Sequence, residues 1–162
     1  FHNTRAVRYR QGRNSPFGFW SDSYNYTRFH SDVLEPFSPG GSRRFRRGSY
    51  NHSTDEVVHP QLERADPDAV LLVDGIFLHR SELDAVWDAT VWVHAPFEVS
   101  VPRGNARFAG THAPDPEADA NRRYVGGQRL YIAEVGPRAR ATWIWDNTEL
   151  DRPTLSRNPT TV

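Results

Sequence analysis

Two arginines in succession, Arg122-Arg123, follow Asn121 at the head of a segment whose apolar residues recur at helical spacing. Cations in the first turn of a helix oppose the macrodipole by roughly 0.3–1 kcal/mol, and a phosphate there would reverse that sign. Backbone N–H groups and guanidinium forks would converge on such an anion. The same pair also reads as solvated charge facing the acidic stretch before it. A second signal is Asp74-Gly75, directly after the apolar run Ala69 to Val73. In open parallel sheets ligands bind beyond the carboxyl ends of the strands, so a carboxylate there is placed for a metal or base role. Asp-Gly equally suits a plain strand-end turn.

Aromatic residues crowd positions 17 to 29, with Trp20 and Tyr24 on either side of Asp22. Ring faces beside a carboxylate suit a nucleobase or a sugar; a core-facing helix stripe with Asp22 as its cap explains most of the same pattern. Arg43, Arg44, Arg46 and Arg47 with Phe45 and Tyr50 could meet phosphates, yet a pI near 7.3 lacks the footprint of a nucleic-acid module, and no nucleic-acid partner is expected. The chain has twenty arginines and no lysine, which excludes Schiff-base chemistry and any phosphate-loop lysine within these residues. Seven histidines show no paired ligand spacing, and zero cysteines exclude thiolate metal sites and disulfides.

The elements that must position these groups follow from period and punctuation. Residues 1 to 19 read as loop. A helix capped by Ser21 or Asp22 runs through Tyr26, Phe29 and Val33 to Glu35-Pro36, since the residue before proline leaves the α region. Residues 43 to 67 carry no period. Ala69 to Val73 reads as a strand buried on both faces. Ser81-Glu82-Leu83-Asp84 matches a capping box ahead of a helix with Leu83, Val86 and Trp87. Thr90 to Ala95 and Thr142 to Trp145 are further strands. Phe97 to Phe108 reads as a helix weakened by Pro102 and Gly104. Ala109 to Ala120 reads as a mobile loop. Asn121 caps a helix with the stripe Tyr124, Gln128, Tyr131, Ile132 and Val135, weakened at Gly126-Gly127 and ended by Gly136-Pro137. Strands alternating with helices give an α/β fold with a parallel sheet and flanking helices.

The length of 162 residues bounds the chain to one domain, and no apolar run is long enough to span a bilayer. No charged-then-apolar leader opens it, so the expected location is cytoplasmic and no membrane partner is expected. Neutrality hides an asymmetry: residues 1 to 52 carry nine arginines against Asp22, Asp32 and Glu35, leaving +6, and the rest carries −6. The chain lacks Met and starts at Phe1, which marks it as an expected fragment.

In their order, several short motifs resemble the uridine kinase branch of the P-loop kinases, in the form common in high-GC bacteria. They are Phe1-His2-Asn3, Gly18-Phe19-Trp20-Ser21-Asp22-Ser23-Tyr24, Pro39-Gly40-Gly41 and Leu72-Val73-Asp74-Gly75-Ile76-Phe77-Leu78. Asn121-Arg122-Arg123-Tyr124 with Gly127-Gln128-Arg129-Leu130-Tyr131, and Asp146-Asn147-Thr148, complete the set. The resemblance implies a three-layer P-loop kinase fold whose first strand and P-loop are missing here. It implies a single incomplete domain over 1–153, with an acceptor-binding portion at 1–68, a sheet core at 69–153 carrying a lid at 103–128, and a flexible tail at 154–162.

By the same resemblance the chain is the acceptor and lid portion of an enzyme that passes the γ-phosphoryl of ATP, with Mg2+, to the 5′-hydroxyl of a pyrimidine nucleoside. Asp22 would hold the sugar hydroxyls, and Tyr50 would flank the base, with Trp20 counted beside them as substrate-binding. Asp74 would help hold magnesium, and Arg107, Arg122 and Arg123 would bind phosphates. The family's Arg-Arg-Asp cluster reads Arg107-Phe108-Ala109 here, and Asn51, His52 and Asp55 stand where the family has a Tyr-Asp pair followed by His. The family's base and P-loop lie upstream of the residue matching Phe1, so no catalytic residue is expected within this chain. The alternative is a non-catalytic nucleotide-binding or interaction protein of the same fold; a homo-oligomer is compatible with either.

Overall fold

The computed structural model describes residues 1–108, 110 and 112–159. It is a mixed α/β fold with one mixed sheet that contains a parallel pair. The front of the chain is helical rather than loop. After α1 (Arg5–Arg8), α2 (Pro16–Asp22) starts at Ser15, whose hydroxyl accepts from the Gly18 N–H at 3.0 Å, with Pro16 in the first turn. Asp22 therefore ends a helix and does not cap one. The next N-cap is Asn25, whose side chain accepts from the Arg28 N–H at 2.9 Å ahead of α3 (Tyr26–Phe29).

This helix passes through a π-helical turn (His30–Leu34) into α4 (Glu35–Phe37), beyond the expected stop at Glu35. Pro36 has no N–H for the carbonyl of Asp32 one turn earlier, and that carbonyl accepts instead from the Arg46 N–H at 2.9 Å. The stretch that shows no period in the sequence forms two antiparallel ribbons. One pairs β1 (Arg44–Phe45) with β4 (Glu63–Arg64), and the other pairs β2 (Tyr50–Asn51) with β3 (Glu56–Val57).

The run expected as a strand buried on both faces is not a strand. Leu71 and Val73 pack on the core, while Val70 and Leu72 are 82% and 90% exposed. The chain is apolar on alternate sides, as an extended segment is, but among the described residues nothing pairs with it or covers its second face. The capping-box segment also falls short of a helix. It forms a 3-10 turn (Ser81–Leu83) that buries Leu83 with Phe29, Val33 and Leu34, and Val86 and Trp87 pack on that cluster from irregular chain. Trp87 donates its indole N–H to the Leu78 carbonyl at 2.9 Å.

The sheet is β5 (Val91–His94), β6 (Trp143–Asp146) and β7 (Thr154–Arg157), in that order. β5 and β6 are parallel, as expected, and β7 is antiparallel to β6. The tail expected to be flexible is thus partly a strand. Asn158, buried to 4% exposure, secures it by donating to the carbonyls of Arg138, Ala139 and Ala141. Residues 160–162 of that tail, and Ala109 and Thr111 of the expected loop, lie outside the described residues.

Between the sheet strands run α5 (Phe97–Asn105, with Pro102 inside), a 3-10 turn (Ala106–Phe108), a 3-10 turn (Asp119–Asn121), α6 (Arg122–Val135) and α7 (Pro137–Arg140). Asn121 precedes α6 but makes no capping bond. Its amide donates to the carbonyls of Ala113 and Asp115 and accepts from Asn105, tying down the described part of the preceding loop. Gly136 at φ 59° ends α6 as expected. The buried face of α6 is Arg123, Val125, Gly127 and Tyr131, turned from the expected stripe, so Tyr124 is 50% exposed. The reason is Gly126-Gly127: the missing side chains admit α2, and Cβ atoms there would come within 2.8 Å of Pro16 and 2.7 Å of Phe19. A core of Trp20, Phe77 and Tyr131 joins α2, α6 and the turn after Asp74.

Candidate functional site

A hydrogen-bonded cluster centres on Asp22 at the end of α2. Asp22 is 2% exposed, and both carboxylate oxygens are taken. Arg10 donates from Nη2 to Oδ1 at 2.6 Å and from Nε to Oδ2 at 3.0 Å, and Gln11 Nε2 donates to Oδ2 at 2.7 Å. Burial pushes the Asp22 carboxyl up, but the hydrogen bonds from Arg10, Gln11 and Ser21 outweigh it and hold the group below its ordinary range. Asn3 fixes the backbone here by donating to the carbonyls of Asp22 and Tyr24, each at 3.0 Å.

Beside it stands a second polar cluster, built on Arg8. This guanidinium is 5% exposed and donates to the Asn3 carbonyl, to the Tyr50 hydroxyl and to His52 Nε2 at 2.8 Å. An arginine only donates, so Nε2 of His52 accepts and the ring proton sits on Nδ1. Tyr50 donates to Asp55 across the β2–β3 ribbon, and this bond and the Arg5 N–H hold the Asp55 carboxyl low. His2 stacks near Tyr24, Tyr50 and His52, with ring centroids at 4.7, 6.4 and 5.2 Å. Burial, followed by the positive charge around it, including that of Arg8, pushes its pKa down to about 4.

At the carboxyl ends of the parallel pair lies a cleft of about 690 Å³ between α5 and α6. Its walls are Trp92, Val93, Pro96, Phe97 and Ile132, and its polar groups include His94, Glu98, Arg107, Gln128 and Asn147. Arg103 braces the rim by donating to the carbonyls of Asn147 and Thr148, both at 2.8 Å. The buried Trp92 Nε1 has no hydrogen-bond partner among the described residues.

The expected site residues divide among these places. Arg107 is exposed in the wall of the cleft that Gln128 also lines. Arg122 is exposed at the start of α6. Arg123 is 6% exposed and spends its donors on the carbonyls of Arg8, Arg13 and Ser15, with its guanidinium 4.8 Å from the Tyr9 ring centroid. Trp20 is a core residue, 7% exposed, whose indole donates to Glu134 at 2.8 Å and whose ring is covered by the Arg80 guanidinium at 4.3 Å. Asp74 is exposed in irregular chain. None of Asp22, Asp74, Arg122 and Arg123 lines the 690 Å³ cleft.

Sequence reasoning singled out neither Arg8 nor Arg10, because a polar stretch strewn with arginines hides which ones turn inward. Among the described residues no three His, Asp or Glu side chains group as a metal site, and no helix is long and apolar enough to cross a membrane. Comparison with protein-family models, with curated proteins and with solved structures finds no match.

Proposed function

We propose that the chain is the acceptor and lid portion of an ATP-dependent nucleoside kinase of the uridine kinase type, whose sheet is completed by a strand and a helix outside the given residues. One observation carries this reading: the sheet ends in an uncovered apolar edge. Among the described residues β5 pairs with β6 alone. The register puts Val91, Val93, Trp143, Trp145 and Leu155 on one face, and Val91, Val93 and Leu155 are 53%, 58% and 54% exposed. The opposite face carries Trp92, which packs against the Trp20, Phe77 and Tyr131 core, as do Leu130 and Val135 of α6. Parallel strands are ordinarily buried on both faces, so a further helix over this face would suit the β5–β6 pair. Among the described residues the run with bare Val70 and Leu72 likewise pairs with no strand.

A parallel strand beside β5, followed by a helix over the bare face, would turn this arrangement into the three-layer sheet that the resemblance implies. The turn between such a strand and its helix would lie at the carboxyl ends of β5 and β6, where the 690 Å³ cleft opens. Magnesium binds through one or two carboxylates plus substrate phosphates, and the single exposed Asp74 fits that donor set. Exposed Arg107 and Arg122 fit phosphates; Arg123, with its donors engaged on three carbonyls, does not in this arrangement. When bound, ATP with magnesium supplies the phosphoryl group. The chain's own contribution is to hold the acceptor near Asp22 and Tyr50 and to screen it from water with α5 and α6. Sequencing the gene upstream of the Phe1 codon tests the reading: an in-frame Gly-rich loop ending in Lys-Ser or Lys-Thr supports it.

The consumed state of Asp22 and Arg123 favours a second reading, a non-catalytic interaction protein in which both are structural. Upstream codons without such a loop support that alternative.

A further inference from the structure

The carboxylate expected to meet the sugar is closed off by side chains of a surface turn. Asp22 is 2% exposed, whereas the Arg10 side chain lying on it is 63% exposed and Gln11 is exposed as well. Both belong to residues 9–15, a segment of turns between α1 and α2. The Gly12 N–H bonds to the Tyr9 carbonyl, the Ser15 N–H bonds to the Gly12 carbonyl, and Gly12 has φ 96°. A guanidinium fork engages both carboxylate oxygens, Gln11 adds a third donor, and at 2% exposure a hydroxyl reaches the carboxylate only if these side chains move.

The same segment is held from the other side. Arg123 donates to the carbonyls of Arg8, Arg13 and Ser15, so the first turn of α6 grips the segment at both ends. One arginine of the lid helix thus fixes the backbone from which another arginine reaches Asp22.

We propose that residues 9–15 form a latch on the acceptor carboxylate, closed by Arg10 and Gln11, held shut by Arg123, and opened when a nucleoside's vicinal sugar hydroxyls replace Arg10 on Asp22. This rests on the nucleoside-kinase reading and adds to it a coupling between the lid helix and the acceptor site. The apparent affinity for the sugar is then the intrinsic affinity scaled by the fraction of open latch. Loosening either arginine raises it.

The test is calorimetric binding of uridine and 2′,3′-dideoxyuridine to the natural chain and to Arg10→Gln, Arg10→Lys and Arg123→Gln. It is combined with the NMR cross-peak of the Arg10 Nε–H in the natural chain. Arg10→Gln and Arg10→Lys each keep a donor for Asp22, so loss of folding in one leaves the other as a probe. We expect uridine to bind about tenfold tighter to the Arg10 variants and several-fold tighter to Arg123→Gln. Dideoxyuridine should bind all four alike, and saturating uridine should move the Arg10 cross-peak to that of a solvent-exposed arginine. Equal uridine affinity across all four chains, with an unmoved cross-peak, overturns the latch and leaves the kinase reading standing. Tighter binding of both ligands to the variants overturns the role of Asp22. Uridine bound by none of them removes the acceptor reading, and the latch with it.

Discussion

Gly127 of α6 lies against Phe19 of α2 so closely that a Cβ at 127 would come within 2.7 Å of Phe19 Cδ1 and 2.8 Å of the Pro16 carbonyl oxygen. The backbone contact cannot swing away, so Gly127→Ala must push the two helices apart. Overpacking of this kind costs about 1–3 kcal/mol, more than the roughly 1 kcal/mol that alanine adds to helix propensity. Gly104→Ala in α5, where nothing lies within 4 Å of the new Cβ, supplies the contrast. Thermal denaturation should show a lower Tm for Gly127→Ala and an unchanged or higher Tm for Gly104→Ala.

Asn158 donates to three carbonyls around the end of α7 and so ties β7 to the fold. Asn158→Ala removes this donor from all three, of which the Ala141 carbonyl is the buried one, at a cost of about 1–3 kcal/mol. Hydrogen exchange should then quicken over residues 154–157 more than over β5. Unchanged protection there would make the strand independent of this anchor.

The parallel pair, the Gly136 helix end and the irregularity around Pro39-Gly40-Gly41 were legible in the sequence, because short apolar runs and glycine punctuation are local signals. The inward turn of Arg8, Arg10 and Arg123 was not. Arginine patterns like a surface residue, and only the carbonyls, rings and carboxylate that surround these three make their burial favourable. The Ala69 to Val73 run misled for the opposite reason: its composition suits a doubly buried strand, but Val70 and Leu72 stand exposed. The ribbons over 44–64 escaped notice because strands of two residues carry no period. Asp22 stood out in the sequence among its aromatic neighbours, while the side chains that bond it, Arg10 and Gln11, lie in a stretch read as loop.

His2, with its pKa lowered to about 4, sets a pH window. Below pH 6.5 the unfolded chain takes up a proton on this ring that the folded chain refuses until about pH 4. The unfolded state binds more protons across that interval, so stability falls as pH drops from 6.5 to 4. Asp22 and Asp55, both held low, add stability above their unfolded values that is lost only at more acid pH. Urea midpoints measured from pH 7.5 to 4 should decline for the natural chain and flatten for His2→Gln. An unchanged slope in the variant would assign the decline to other groups.

The bare faces of β5 and of the 69–73 run predict self-association of the chain as given. Val93→Lys places a charge on the 58%-exposed edge position at little cost to the fold. Light scattering should show less association for this variant at equal Tm. In a longer chain whose added strand covers the edge, the same substitution should destabilise.

The measurement that bears most directly on the central claim is turnover of ATP and uridine with magnesium, by this chain and by the chain translated with its upstream codons. The account predicts no detectable uridine phosphate from the short chain, since it contains no lysine and no Gly-rich loop to hold the triphosphate, and steady turnover from the long one. Robust turnover by the short chain would contradict it. So would a folded, soluble long chain that phosphorylates neither uridine nor cytidine.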